Sequence, residues 1–288
     1  MHGRSKKALL NETDEDRREQ IQKFKKLRGL LETSLECRRL NDLSPESIAL
    51  SGKLLSVNPS LDTLWNLRRK SLDESRIKEE LEFNSYALVN GNVKSHEAWA
   101  HRMWLLRSFT ATIDLEKELA LCKKLLVSDE RNFHCWNYRK VVAEFAKKTK
   151  KEELNFAQEL IDINFSNFSA WHLKLKILDT MQISAQQISE EFDIVNNALF
   201  TEPDDQSVWM VYRWLVKMHL KEYPVLIEAQ LDLCMELDEL EGNNNKWVLL
   251  AMSDLMQLQK KKHPGIFRRL LELDPGHGAF YLHMLYKN

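Results

Sequence analysis

Glycine (8) and proline (6) are scarce in this chain of 288 residues. Strands and tight turns depend on that punctuation, so the shortage, set beside abundant Leu, Lys and Glu, argues for an all-helical chain. An excess of either charge is also missing. The net charge is −1 and the pI is near 6.8, which leaves no broad basic field to attract nucleic acid or an anionic membrane. The four cysteines (Cys37, Cys122, Cys135 and Cys234) include no C-x-x-C pair, which argues against a disulfide framework and a self-contained zinc site. No run of 18 apolar residues occurs, and Met1-His2-Gly3-Arg4 leads into a charged stretch with no apolar signal core. Neither secretion nor a membrane span is expected, and a reducing cytoplasm fits.

What is present is 43% hydrophobic and 30% charged residues, enough for a buried core in one large domain. The runs Lys147-Lys148-Thr149-Lys150-Lys151 and Lys260-Lys261-Lys262 lie between apolar-periodic stretches and read as solvated loops or helix ends. Tryptophan carries the organisation. Trp65, Trp99, Trp136, Trp171, Trp209 and Trp247 are separated by 34, 37, 35, 38 and 38 residues, the period of stacked helical hairpins. Four residues before the later five stand Ser95, Asn132, Asn167, Asp205 and Asn243, all good N-cap residues. The first repeat departs, with Leu61 there. Three residues after the Trp come Arg68, Arg102, Arg139 and Lys174, and Arg213 follows Trp209 by four. That spacing shares a helix face, so each cation is expected to stack beside its indole.

Amphipathic segments fill the intervals. Leu115, Leu119, Cys122 and Leu126 form one apolar stripe; Ile188, Phe192, Val195 and Leu199 form another; Leu226, Ala229, Leu233 and Leu237 suggest a third. Leu43-Ser44-Pro45 opens a helix, with Ser44 as N-cap, Pro45 at the first helical position and Leu43 able to staple against Ile48. The expected fold is an all-α, α-α superhelix of hairpins in a single domain over 1–288. It would have a flexible segment at 1–14, repeats over about 45–285, and a curved inner face suited to holding another protein.

A tetratricopeptide array fits poorly, because here the Trp stands on the second helix, a cation follows it and no Leu-Gly pair recurs. The repeat instead resembles that of protein prenyltransferase α subunits. Ser95-His96-Glu97-Ala98-Trp99-Ala100-His101-Arg102 and Asn132-Phe133-His134-Cys135-Trp136-Asn137-Tyr138-Arg139 carry the match. Met1-His2-Gly3-Arg4, the stretch from Val127 to Trp136 and Asp204-Asp205-Gln206-Ser207-Val208-Trp209 look like the Rab geranylgeranyltransferase (type II) form, in its compact version without added C-terminal domains. The long Pro-rich tail usual in the α subunit shared by farnesyltransferase and geranylgeranyltransferase type I is absent. That subunit and a non-enzymatic helical adaptor are the alternative readings.

Prenyl transfer joins a cysteine thiolate to an allylic diphosphate, and needs a thiolate-forming group, a lipid tunnel and cations for the leaving group. The nine histidines form no H-E-x-x-H spacing, and adjacent His134 and Cys135 would point about 100° apart on a helix. The resemblance therefore implies a chain inactive by itself, binding no cofactor alone. Zinc and the lipid pocket would lie on a β subunit, geranylgeranyl diphosphate would be the co-substrate, and a Rab protein presented by an escort protein the acceptor. It also implies that Lys94 contacts the lipid diphosphate, with His134 and Arg131 near the same mouth. His96 stands where the family usually has an aromatic residue. His2 is a candidate to reach the partner's zinc. Trp65, Trp99, Trp136, Trp171, Trp209 and Trp247 are expected in the core, with Arg102, Arg139 and Arg213 bridging neighbouring hairpins or acidic loop residues.

Overall fold

The computed structural model describes residues 14–220 and 223–287. The regular structure among them is helical. The fifteen α-helices are α1 (Asp14–Arg39), α2 (Pro45–Val57), α3 (Asp62–Lys70), α4 (Ile77–Asn90), α5 (His96–Ser108), α6 (Leu115–Ser128), α7 (Phe133–Phe145), α8 (Lys150–Ile163), α9 (Phe168–Leu178), α10 (Ala185–Thr201), α11 (Gln206–His219), α12 (Pro224–Leu240), α13 (Lys246–Leu258), α14 (Pro264–Leu273) and α15 (Gly278–Lys287). They gather into two compact units, one reaching to Lys147 and the other running from Lys148. In the first, the hairpins α2–α3, α4–α5 and α6–α7 bring α3, α5 and α7 into series, with α1 against α2 and α3. In the second, α8–α9, α10–α11 and α12–α13 bring α9, α11 and α13 into series, followed by α14 and α15. No described helix is long and apolar enough to cross a membrane.

In four hairpins the second helix starts where the sequence predicts. The side chains of Ser95, Asn132 and Asn167 accept the N–H of Ala98, Cys135 and Ala170, and Asp205 accepts that of Ser207. Leu61 caps α3 with no side-chain bond. Each indole of the first five repeats then turns back on its own chain. Trp65, Trp99, Trp136, Trp171 and Trp209 donate Nε1–H to the carbonyls of Pro59, Val93, Glu130, Phe165 and Pro203 at 2.6–2.8 Å. A carbonyl oxygen has two lone pairs, and the next hairpin uses the second. Ser95 Oγ–H donates to the Pro59 carbonyl at 3.0 Å, Asn132 Nδ2–H to Val93 at 3.0 Å and Asn245 Nδ2–H to Pro203 at 3.0 Å. One oxygen thus ties a hairpin's own Trp to the cap of its successor. Asn serves both ends of this link, accepting through Oδ1 while donating through Nδ2. Asp205 cannot donate, and Ser166 Oγ–H bonds to its carboxylate instead, at 2.7 Å.

The cations after the Trp point toward the adjoining hairpin. Arg68 forms a two-pronged ion pair with Glu80 of α4, and Arg102 one with Glu118 of α6 at 2.7 Å. In unit 2, Lys174 pairs with Glu191 of α10. The acceptors stand on helices, not in loops. The expected stacking on each residue's own indole is corrected accordingly. Arg68 lies over Phe83, 4.3 Å from the ring centre, and Arg102 over Tyr138; Lys174 does sit over its own Trp171. The fork of arginine reaches a carboxylate two-pronged only by extending off its helix, and that bond outweighs local stacking. After Trp209 the three-residue register belongs to buried Tyr212, while Arg213 pairs with Asp254 of α13.

Three further expectations are revised. Asn243 is not the sixth cap: Gly242 and Asn243 have φ of 63° and 64° and end α12 in the left-handed conformation that glycine and asparagine tolerate. The cap moves to Asn245. Trp247 therefore falls in the first turn, only half-buried, and fully buried Leu249 takes the position of the other tryptophans; of these Trp65, Trp99, Trp171 and Trp209 lie in the core as expected, whereas Trp136 is also only partly buried. On α12 the buried stripe is Ile227, Gln230, Cys234 and Leu237, rotated one residue from that expected until the two converge at Leu237. Finally, α1 was not expected. Its first half is dominated by exposed charge and its fully buried residue is Ser34, so the helical spacing of Ile21, Phe24, Leu27 and Leu31 does not translate into a buried apolar face. The basic runs do fall at helix junctions, with Lys147 and Lys260 at positive φ and Thr149 capping α8 through a capping box with Glu152. Ser44 caps α2 as predicted, with Pro45 first in the helix.

Removing one partner of a buried ion pair leaves a charge stranded. Glu118→Gln is expected to lower unfolding free energy in urea by about 3 kcal/mol, and the double change Arg102→Met with Glu118→Leu to recover most of the loss. Glu80 has a built-in pH response. Burial pushes its carboxyl up, but hydrogen bonds from His101 and Arg68 outweigh this and bring it down to about 2 from the usual 4.5. Its contribution is complete above about pH 4.5 and is lost as pH falls toward 2. Melting curves across that window should flatten in Glu80→Gln. Leu249→Ala should cost about 2–5 kcal/mol and Trp247→Ala distinctly less, measured by thermal unfolding.

Candidate functional site

Lys94, His96, Arg131 and His134 lie in the first unit, at the end where α5 and α7 begin. Lys94 directly precedes the cap of α5, and its backbone N–H donates to Asn92 Oδ1 at 3.0 Å. Its side chain is 58% exposed, and Nζ pairs with Asp129 Oδ2 at 3.0 Å. Asp129 is the C-terminal cap of α6, so this ion pair spans two hairpins. His96, in the first turn of α5, and His134, in the first turn of α7, meet edge to face with ring centres 5.6 Å apart. Partial burial lowers the pKa of His134, the neighbouring His96 lowers it further and Glu97 opposes them. Neutral imidazoles therefore predominate at His134 near pH 7.

Arg131 belongs to the same turn but does not converge with the others. Its guanidinium is 81% exposed and lies 3.8 Å from the Glu130 carboxylate. His134 and Cys135 diverge as their adjacency predicts. Cys135 is fully buried and its thiol bonds to the Cys122 carbonyl at 3.6 Å, while the His134 ring faces His96. Among the described residues no group of three His, Cys, Asp or Glu side chains is placed to hold a metal ion. The Cys122 thiol is pushed up in pKa, first by its hydrogen bond with Cys135 and then by burial, which makes it a poor thiolate ligand. His2 and the segment 1–13 lie outside the described residues.

Sequence reading missed two members of this cluster as participants. Asp129 looked like an ordinary residue of the turn, and nothing in spacing pairs it with Lys94 thirty-five positions earlier. His96 was noted only as a departure from the family's aromatic, although its one-repeat offset from His134 could have suggested the contact. Around the cluster the same end of the hairpins is apolar: Val89 is 61% exposed and Phe133 68%, with Val57 and Val127 also exposed. The second unit has its own exposed apolar positions, and Phe168, Trp171, His172, Leu175, Met210 and Trp214 line a cleft between α9 and α11. Chemically, the Lys94 end can offer an anion one fixed ammonium and two imidazoles at the edge of an apolar surface.

Comparison with known proteins places this geometry. Residues 77–109, 115–146, 150–181 and 188–219 match the protein prenyltransferase alpha subunit repeat, and these segments follow the hairpins α4–α5, α6–α7, α8–α9 and α10–α11. The chain is 33% identical to mouse geranylgeranyl transferase type-2 subunit alpha over 88% of its own length and 49% of that protein. It thus spans about half the length of the mammalian relatives it matches. The type-2 alpha subunit of Saccharomyces cerevisiae is 30% identical, with 99% of each chain covered. In three dimensions the chain is similar to a chain of Candida albicans protein geranylgeranyltransferase-I complexed with GGPP, with a TM-score of 0.74, 19% identity and 91% and 90% of the two chains covered. That likeness establishes the fold, an all-helical repeat array. By its cap–Trp–cation repeats and its full-length match to the yeast type-2 alpha subunit, this chain belongs to the protein prenyltransferase α-subunit family.

Proposed function

We propose that this chain is the α subunit of a heterodimeric, type-2 protein geranylgeranyltransferase. It helps move a geranylgeranyl group from geranylgeranyl diphosphate to C-terminal cysteines of Rab proteins presented by an escort protein. The observation that carries the reading is Lys94, exposed at the rim of an apolar hairpin end beside His96 and His134. In the reaction the cysteine sulfur bonds to C1 of the lipid, the C1–oxygen bond breaks, and its electron pair stays on the departing diphosphate. A cation at that oxygen lowers the barrier because charge accumulates there in the transition state. Lys94 supplies that cation, and His134, facing His96 at the same end of the hairpins, donates a hydrogen bond to the same group.

The rest of the machinery belongs to a β subunit. Zinc held there would supply the thiolate; among the described residues no group of three His, Cys, Asp or Glu side chains is placed to hold a metal ion. The exposed Val57, Val89, Val127 and Phe133 favour a partner that covers this end. Such a complex works in the cytoplasm, where unprenylated Rab proteins are met.

The test is reconstitution with a type-2 β subunit, geranylgeranyl diphosphate, a Rab protein and its escort. Lys94→Ala should lower kcat roughly 10- to 100-fold while the heterodimer still forms on a sizing column. An unchanged kcat would remove Lys94 from the mechanism. Transfer to short C-terminal peptides without the escort would instead favour the type I or farnesyl class.

A further inference from the structure

Lys94 is a long, mostly exposed side chain with four rotatable bonds, and an exposed ammonium ordinarily samples many positions. Here it is held in one, and the holding group comes from the following hairpin. We infer that Asp129 is the positioning residue for Lys94, aiming its ammonium at the leaving diphosphate; this rests on the role proposed above for Lys94.

The turn between α6 and α7 grips the segment before α5 at two points. Through the backbone, Asn132 Nδ2–H donates to the Val93 carbonyl at 3.0 Å, which fixes the residue next to Lys94. Through the side chains, Asp129 Oδ2 takes one N–H of Lys94 at 3.0 Å. The turn is itself rigid: Asp129 N–H bonds back to the Leu125 carbonyl at 2.9 Å, and its own carbonyl accepts Asn132 N–H at 3.1 Å. An ammonium has three N–H donors, so the pair leaves two for a ligand anion. The carboxylate is also a like charge to that anion. It therefore weakens ground-state binding of a diphosphate while fixing the geometry needed when the bond breaks. Its signature is a fall in kcat without a rise in KM for the lipid diphosphate, opposite to what a simple binding group would show.

The experiment compares Asp129→Asn, Asp129→Glu, Lys94→Ala and the double variant Lys94→Ala with Asp129→Asn in the complete heterodimer. Asp129→Asn should lower kcat roughly tenfold with KM for geranylgeranyl diphosphate unchanged or lower. Asp129→Glu should restore part of the rate, and the melting temperature should not move. In the Lys94→Ala background the Asn change should add no further loss, because nothing remains to be positioned. If Lys94→Ala is impaired but Asp129→Asn turns over normally, or if the two losses multiply, the positioning role is wrong while the role of Lys94 stands. If Lys94→Ala itself is unimpaired, the reading on which it rests has failed instead.

Discussion

The carbonyl two residues before each second-helix cap is the point on which the repeat depends. It lies where the first helix has ended and the next has not begun, so no helical N–H can reach it. Left unpaired in the interior it would cost about 1–3 kcal/mol. In the first five repeats the indole N–H fills one lone pair, and at Pro59, Val93 and Pro203 the cap of the following hairpin fills the other. Helical spacing places the indole four residues beyond the cap, over the preceding turn. A different aromatic there would fill volume but lack the N–H. That is a physical reason for tryptophan to recur, over and above its bulk.

This link fixes where second helices begin; the buried cations fix how they lean. Arg68 and Arg102 cross to the next hairpin's first helix and meet Glu80 and Glu118, and each also bonds to backbone or hydroxyl oxygens of a neighbouring helix. Such pairs add little net stability after desolvation. A two-pronged bond, however, is satisfied in only one relative placement of its helices. His101 extends the first of these sites. It shares Glu80 with Arg68 through Nε2, stacks on Trp65 and takes a hydrogen bond from Arg69 at Nδ1, and burial lowers its pKa. The end that carries Lys94 inherits this rigidity. Lys94 and His96 flank one cap, Asp129 and His134 flank the next, and the Asn132–Val93 bond holds the two caps together.

Much of this could be read from residues alone where the signal was local. N-caps at Ser95, Asn132, Asn167 and Asp205 and the stripe on α10 follow from three- and four-residue spacing, which the helix enforces without outside help. Legibility failed where a competing interaction decided. Trp247 kept the period in sequence but lost it in space, because Gly242 and Asn243 moved the helix start by two residues. The face of α12 was misjudged because polar Gln230 and Asp238 are buried there, the latter held by Arg269. Helix α1 has Ile21, Phe24, Leu27 and Leu31 at helical spacing, but Ile21 and Phe24 stay exposed and dense charge around them masks the pattern.

By itself, then, the sequence determined the class of fold, the place of most second helices and the residue types at their starts. These depend on helix periodicity and capping, which are properties of short segments. Only the tertiary structure decided which carboxylate each buried cation meets, which imidazole faces His96, and that Asp129 holds Lys94. These pairings join positions twelve to thirty-eight residues apart, and they exist because stacked hairpins bring successive turns into register. No spacing along the chain encodes which side chains of two such turns will point at each other.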